Sequence, residues 1–244
     1  MDRMRACGVC DPGSIPGEGT MEIYPMRINK YLALQKLSTR RGADDLVQNK
    51  KVFINGKLAI LGSKVNEGDK VEIKGEKEKK YLYFAYNKPI GIETTSPKEG
   101  LFPIGRLDKA SHGLLIVTND GRITDRLLNP KYVHEKEYIV KTSNKLRSSF
   151  KNKMEAGVNI EGKGDFLKTK KCKVEIINDT TFKIILTEGK KHQIRRMCSA
   201  LFQEVADLKR IRVMNIELGD LKPNSMREIK GKELSTFLEQ VFQR

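Results

Sequence analysis

The sequence predicts an α+β protein: a small N-terminal module followed by a larger domain built on a mainly antiparallel mixed sheet. Three observations predict it. Short period-two apolar runs end in Gly, Pro or Asn-Gly turns, as in Val52 to Asn55-Gly56 and Leu114 to Gly121. Apolar stripes at helical spacing, such as Leu146, Phe150 and Met154, stand between them without the regular alternation of a parallel βαβ sheet. The charged stretch Gly75 to Lys80, which lacks apolar side chains, separates the two parts.

The chain has 244 residues, enough for one large or two modest domains with a substantial core. Its 47 Lys and Arg exceed 31 Asp and Glu, giving a net charge of +16 without long blocks of one sign. A polyanionic partner is expected, and nucleic acid is favoured over membrane because no apolar run approaches the roughly 20 residues that span a bilayer. Four cysteines make no disulfide framework and suggest a reducing, cytoplasmic setting. Cys7 and Cys10 have metal-like spacing, but no second pair completes a zinc site, so no metal is expected.

Taken in order, residues 1–25 are rich in Gly, Pro and Met, lack a signal-peptide pattern, and are expected to be a disordered extension. From Met26, the apolar faces of Ile28, Tyr31, Leu32 and Leu34, then of Ala43, Leu46 and Val47, predict two short helices. Val52 to Ile54 predicts a strand turning at Asn55-Gly56, and Val65, Val71 and Ile73 predict returning strands around Gly68-Asp69. Residues 26–75 carry eleven basic and five acidic side chains. Residues 76–80 are read as a linker.

The second domain, 81–244, opens on the aromatic strand YLYFAYN, closed by Lys88-Pro89-Ile90-Gly91. Further strands are expected near Ile92–Thr94, Leu114–Thr118, Glu137–Lys141, Lys173–Ile177 and Phe182–Thr187. Helices are expected from Leu146 to Gly157, around Ile194 to Leu201, and from Lys232 to Val241. GVNIEGKG at Gly157 to Gly164 looks like a phosphate loop, but Gly164 replaces the Ser or Thr that would hold magnesium, so it is read as a β-turn. Asn178-Asp179-Thr180 is read as a turn between strands.

In GRLDKASHGLLIVTNDG, Gly105 to Gly121, the carboxylate Asp108 sits on a loop feeding a buried strand. An Asp in such a loop caps a turn more often than it catalyses. Two other pieces change its meaning: HEKEYIVK at His134 to Lys141, and LTEGKKHQIRRMCSAL at Leu186 to Leu201. Together with NKPIG at Asn87 to Gly91, they resemble the signatures of the RsuA-type ribosomal pseudouridine synthases. HEKEYIV, KTKKCKV and RIRVMNI look most like the RluF-type enzymes of large-subunit (23S) ribosomal RNA. Residues 26–75, with RINKYLA, TRRGAD and VFINGK, resemble the S4 RNA-binding domain.

The resemblance implies conversion of a uridine in 23S ribosomal RNA, or in a large-subunit assembly intermediate, to pseudouridine by a cytoplasmic monomer that needs no cofactor. It implies Asp108 as the catalytic carboxylate, Tyr138 as the residue packing on the base and a candidate for later proton removal, and Arg195 as the partner of Asp108. Attack at the sugar C1′ is favoured, with addition to the uracil ring left open. Arg106, Lys88 and Arg196 in the second domain, and Arg27, Lys30, Arg40, Arg41 and Lys51 in the first, are the expected substrate-binding residues; the resemblance also implies that Lys88, with Pro89, supports the catalytic loop, a role more structural than chemical. His112 is expected beside Ser111 in the groove, and His192 near RNA phosphate. Two rivals remain at this point: the same chemistry on transfer RNA, and a non-catalytic S4-type RNA-binding protein.

Overall fold

A computed structural model describes residues 24–35, 37–75, 80–161 and 166–242. The expected extension therefore lies outside the described residues up to position 23, as do Cys7, Cys10 and most of the expected linker. The chain divides between Lys80 and Tyr81 into two compact units.

The first unit runs β1 (Met26–Arg27), α1 (Ile28–Leu34), α2 (Arg40–Gln48), β2 (Val52–Ile54), β3 (Lys57–Leu58), β4 (Lys64–Val65) and β5 (Val71–Ile73). Thr39 caps α2, its hydroxyl accepting from the Gly42 amide at 3.0 Å. Ile28 and Leu32 of α1 pack on Ala43, Leu46 and Val47 of α2 and on Val52, Val65 and Val71. Asn55 and Gly56, both at positive φ, close the β2–β3 hairpin as their residue types allow.

The second unit contains β6 (Tyr83–Lys88), β7 (Phe102–Ile104), β8 (His112–Thr118), α3 (Arg122–Leu128), β9 (Lys136–Thr142), α4 (Phe150–Glu155), β10 (Asn159–Glu161), β11 (Phe166–Lys168), β12 (Lys173–Asn178), β13 (Thr181–Leu186), α5 (Gln193–Ala200), β14 (Val205–Val213), β15 (Ile216–Glu217), β16 (Met226–Glu228) and α6 (Gly231–Phe242). Its main sheet has the order β12-β13-β9-β14-β8-β6-β16, with β15 on β14 and β7 on β8. Among its described pairings only β14 with β8 is parallel, which gives the mostly antiparallel mixed sheet expected of the α+β class.

The continuous apolar run of β8 is explained by two cores. Leu114 and Ile116 face one core with Ile123 and Leu127 of α3 and Phe237 and Val241 of α6; Leu115 and Val117 face another with Tyr86 and Leu107. A third core packs Phe150 and Met154 of α4 and Ile194, Met197 and Cys198 of α5 onto Val140, Phe182, Ile184 and Leu208. Gly113 permits the parallel contact: at φ 102, a Cβ there would collide with the Arg210 carbonyl of β14.

Two expectations about elements are corrected, and a third is tested only in part. Ile92–Thr94 is not a strand, because its polar groups are spent otherwise: the Ile92 carbonyl accepts from Lys88 Nζ, and the Thr94 hydroxyl bonds both the amide and the carbonyl of Leu107. The helix expected from Leu146 starts only at Phe150, since the Leu146 amide is drawn to the Asp179 carbonyl at 2.7 Å. Within GVNIEGKG, Asn159–Glu161 forms the first arm of a hairpin with β11; the tip lies outside the described residues.

Candidate active site

The neighbouring order β9-β14-β8 gathers the site. β8 begins just after the loop that carries Asp108, β9 carries Lys136 and Tyr138, and Arg210 of β14 stands in register with both Tyr138 and Gly113. These strand ends, with the α3 terminus and the segment Leu186 to Ile194, enclose a cleft of about 640 Å³. Asp108, Tyr138, Arg106, Lys136, His192 and Arg210 line it.

The Asp108 loop is held through its backbone. The Leu107 carbonyl accepts from the Thr94 hydroxyl at 2.7 Å, and that of Asp108 from the Ser111 amide at 2.9 Å. The Lys109 carbonyl takes the Gly91 amide at 2.8 Å, and the Ala110 carbonyl takes Arg195 Nη2 at 2.9 Å. The Ser111 carbonyl takes Lys88 Nζ at 2.8 Å. Each carbonyl from Leu107 to Ser111 thus has a donor, so the side chain of Asp108 projects from a loop with little freedom to rearrange.

Of the two roles expected of Lys88, loop support and substrate binding, the structure corrects the second. Its side chain is fully buried, and its ammonium donates to the carbonyls of Pro89, Ile92 and Ser111 at 2.9, 2.7 and 2.8 Å. Burial pulls its pKa below the ordinary lysine value, and the charge of Asp108 pulls the other way. Lys88 ties three loop segments together and is out of reach of RNA.

The expected Asp108–Arg195 ion pair is also replaced by a different arrangement. Arg195 Nη1 donates to the Val205 carbonyl at 3.0 Å and Nη2 to Ala110, so the guanidinium anchors the loop two residues past the carboxylate. The partner of Asp108 is His192, whose Nε2 lies 3.1 Å from Oδ1. His192 sits at the N-cap of α5 at φ 52. The segment before it is braced by Glu188, which accepts from Gln193 Nε2 at 2.7 Å, from the Lys170 amide at 2.9 Å, and from Lys190 at 2.9 Å. Sequence reasoning left His192 among the phosphate contacts. The available signal was its place immediately before the helix that also carries Arg195.

His112 does not line the cleft; its Nε2 faces Asp207 at 2.9 Å across the sheet. Lys136 and Arg210 are the other cleft residues that sequence reasoning passed over. Arg210 is 3% exposed, with Nε donating to the Leu114 carbonyl at 2.6 Å. Burial, with Arg210 adding to it, brings Lys136 down to about 8. Arg106 is exposed at the rim of the cleft, while Arg196 makes a long contact, 3.3 Å, to the Lys191 carbonyl.

In the first unit, Arg27, Lys30, Arg40 and Arg41 are exposed. Arg40 and Arg41 open α2, whose first turn has no acidic residue. Cations there oppose the helix dipole, a cost that an anionic ligand offsets. Lys51 is half-buried, its ammonium 3.4 Å from the Gly75 carbonyl.

Comparisons with known proteins agree with this geometry. Residues 81–200 match the family model described as RNA pseudouridylate synthase, and residues 26–71 match that of the S4 domain. The chain is 36% identical to the dual-specificity RNA pseudouridine synthase RluF of Escherichia coli K12, over 86% of this chain and 77% of that one. It is 31% identical to the ribosomal large subunit pseudouridine synthase B of Bacillus subtilis, over 85% and 93% respectively. A crystal structure of a pseudouridylate synthase superposes with a TM-score of 0.64 at 26% identity, covering 88% of this chain and 99% of that one.

Proposed function

The chain belongs to the RNA pseudouridine synthase family, and we propose that it isomerises a specific uridine of large-subunit (23S) ribosomal RNA, as free RNA or in an assembly intermediate. A relative named for the ribosomal large subunit supports the substrate, as do the net charge of +16 and the S4 unit with its exposed basic helix start. The observation that carries the chemistry is the complete clamping of the loop carbonyls under Asp108, which presents one carboxylate to a cleft wide enough for a flipped base.

The reaction breaks the bond between C1′ and uracil N1 and rejoins the sugar to uracil C5. In this reading Asp108 attacks C1′. His192 engages Oδ1, which leaves Oδ2 as the attacking oxygen. Tyr138, on the cleft wall beside Arg210, packs on the uracil and later takes the C5 proton. Arg195 and Lys88 act as positioning residues, since both bond the loop and neither lines the cleft. Arg106 at the rim of the cleft and Arg196 of α5 meet the RNA backbone, while Arg27, Lys30, Arg40, Arg41 and Lys51 of the S4 unit dock a separate stretch. We take the enzyme to act as a cytoplasmic monomer.

Pseudouridine mapping of total RNA from cells lacking the gene tests this directly. Loss of one 23S site, restored by the wild-type gene, is the expected result. Persistence of every ribosomal site would overturn the substrate assignment, and loss at a transfer-RNA site instead would reassign it.

A further inference from the structure

Two cations stand inside the cleft with no anion to meet them. Lys136 and Arg210 lie on adjacent strands of its wall, β9 and β14, rather than at its rim. Among the described residues, Lys136 Nζ has neither a hydrogen-bond partner nor an ion-pair partner. The one carboxylate of the Leu186 to Ile194 segment, Glu188, is already engaged by Lys170, Lys190 and Gln193. Asp108, the other carboxylate lining the cleft, faces His192. A half-buried ammonium beside a buried guanidinium costs stability, so a cleft that keeps both is arranged for negative charge that arrives with the substrate.

Resting on the pseudouridine synthase reading of this cleft, we propose that Lys136, backed by Arg210, is the group that stabilises and retains the uracil anion between its release from N1 and its return through C5. The electrons balance without any co-reactant. The C1′–N1 pair passes to uracil as Asp108 bonds C1′; the uracil then turns. C5 bonds C1′ as the pair of the C1′–O bond returns to Asp108, C5 gives up its proton, and N1 gains one. Between these steps the base is held by no covalent bond, and its charge is shared over N1, O2 and O4. A lysine ammonium suits that state better than a fixed fork, because its three donors rotate and it acts as a point charge that can follow the turning ring. Arg210, pinned through Nε to Leu114, supplies a stationary field behind it. RNA phosphates, by contrast, are met by exposed cations such as Arg106, Lys109 and Lys191.

The test uses the full chain and a short RNA bearing the mapped site, with either uridine or 5-fluorouridine at that single position. 5-Fluorouracil is the better leaving group, so its cleavage needs less cationic help. Lys136→Met is expected to slow single-turnover loss of the N1-linked nucleoside about 100-fold on the uridine RNA, the scale of losing one charge-stabilising donor. On the 5-fluorouridine RNA the loss shrinks to about tenfold, and RNA affinity stays within about threefold of wild type. Lys136→Arg, which keeps the charge but not the rotating donors and guards against a folding defect, recovers part of the rate. Equal losses on the two RNAs would overturn the inference, as would a fall in affinity with a shallower salt slope, which marks a phosphate contact. A wild-type protein that forms no pseudouridine would overturn the functional reading as well. Wild-type turnover matched by Lys136→Met would overturn this inference alone.

Discussion

Replacing Arg195 by Met removes two short hydrogen bonds from a charged donor, to the Val205 and Ala110 carbonyls at 3.0 and 2.9 Å, and a long one to the Ser111 hydroxyl at 3.5 Å. Bonds to charged groups contribute about 1.5–3 kcal/mol each, and partial exposure of this guanidinium brings the pair to about 2–4 kcal/mol. For a unit of this size, that lowers the melting temperature by about 5–12 °C. The functional effect is larger than the stability loss suggests. Freed at Ala110, the loop lets Asp108 drift, and a displacement near 1 Å costs about 100-fold in rate. The assay is single-turnover pseudouridine formation at saturating RNA across pH, with thermal melting alongside. The geometry predicts a lower plateau with an unmoved acid limb, and an intermediate rate for Arg195→Lys, which can keep one of the two bonds. A direct Arg195–Asp108 pair would instead move the acid limb to higher pH when the cation is lost. That shift, or an unchanged rate in Arg195→Met, would refute the positioning role.

Lys88→Met strands three carbonyls around an apolar tip, so it should destabilise the second unit by about 3 kcal/mol or more in urea unfolding while leaving RNA affinity of the folded fraction unchanged. The pH dependence of Lys136→Met has a definite sign. The folded-state value near 8 lies below the ordinary 10.5, so the wild type carries a penalty that is full below pH 8 and fades as pH rises toward 10.5. Lys136→Met should therefore melt higher than wild type at pH 7, with the gap narrowing above pH 8; a gap that widens there would contradict the burial argument. Arg40→Ala with Arg41→Ala should weaken RNA binding and reduce the slope of log affinity against log salt by about 1–2, read by titration at several salt concentrations.

Much of the fold was legible because local signals and burial agree. β8 reads as a buried run because alternate residues enter different cores, the stripe of α6 faces the first of them, and that of α5 faces the third core of the unit. Ile92–Thr94 misled because a β-like composition was used to seat a buried lysine and a threonine side chain, tertiary demands that the local pattern does not show. Asn224 stands at φ 62, in the left-handed region that favours Gly and tolerates Asn, and its side chain accepts from the Tyr86 hydroxyl at 2.8 Å, a tertiary contact that the local pattern does not show.

The site was legible in its members more than in its contacts. Asp108 and Tyr138 line one cleft despite 30 residues of separation because β9 and β8 flank β14. Sequence could nominate the cation Arg195 but not choose between pairing with the carboxylate and anchoring its loop, since both need an arginine on the same helix face. His192 and Lys136 were passed over because each sits in a run rich in Lys, where a phosphate contact is the simplest expectation.

The central claim is that Asp108 is the nucleophile on a preset loop. Its most direct test is Asp108→Asn, an isosteric change that keeps the backbone clamp, assayed for single-turnover pseudouridine formation and for affinity on the same mapped RNA. The account predicts no detectable product with affinity within about threefold of wild type and an unchanged melting temperature within about 2 °C. Product formed at a rate near that of wild type by the folded variant would contradict it.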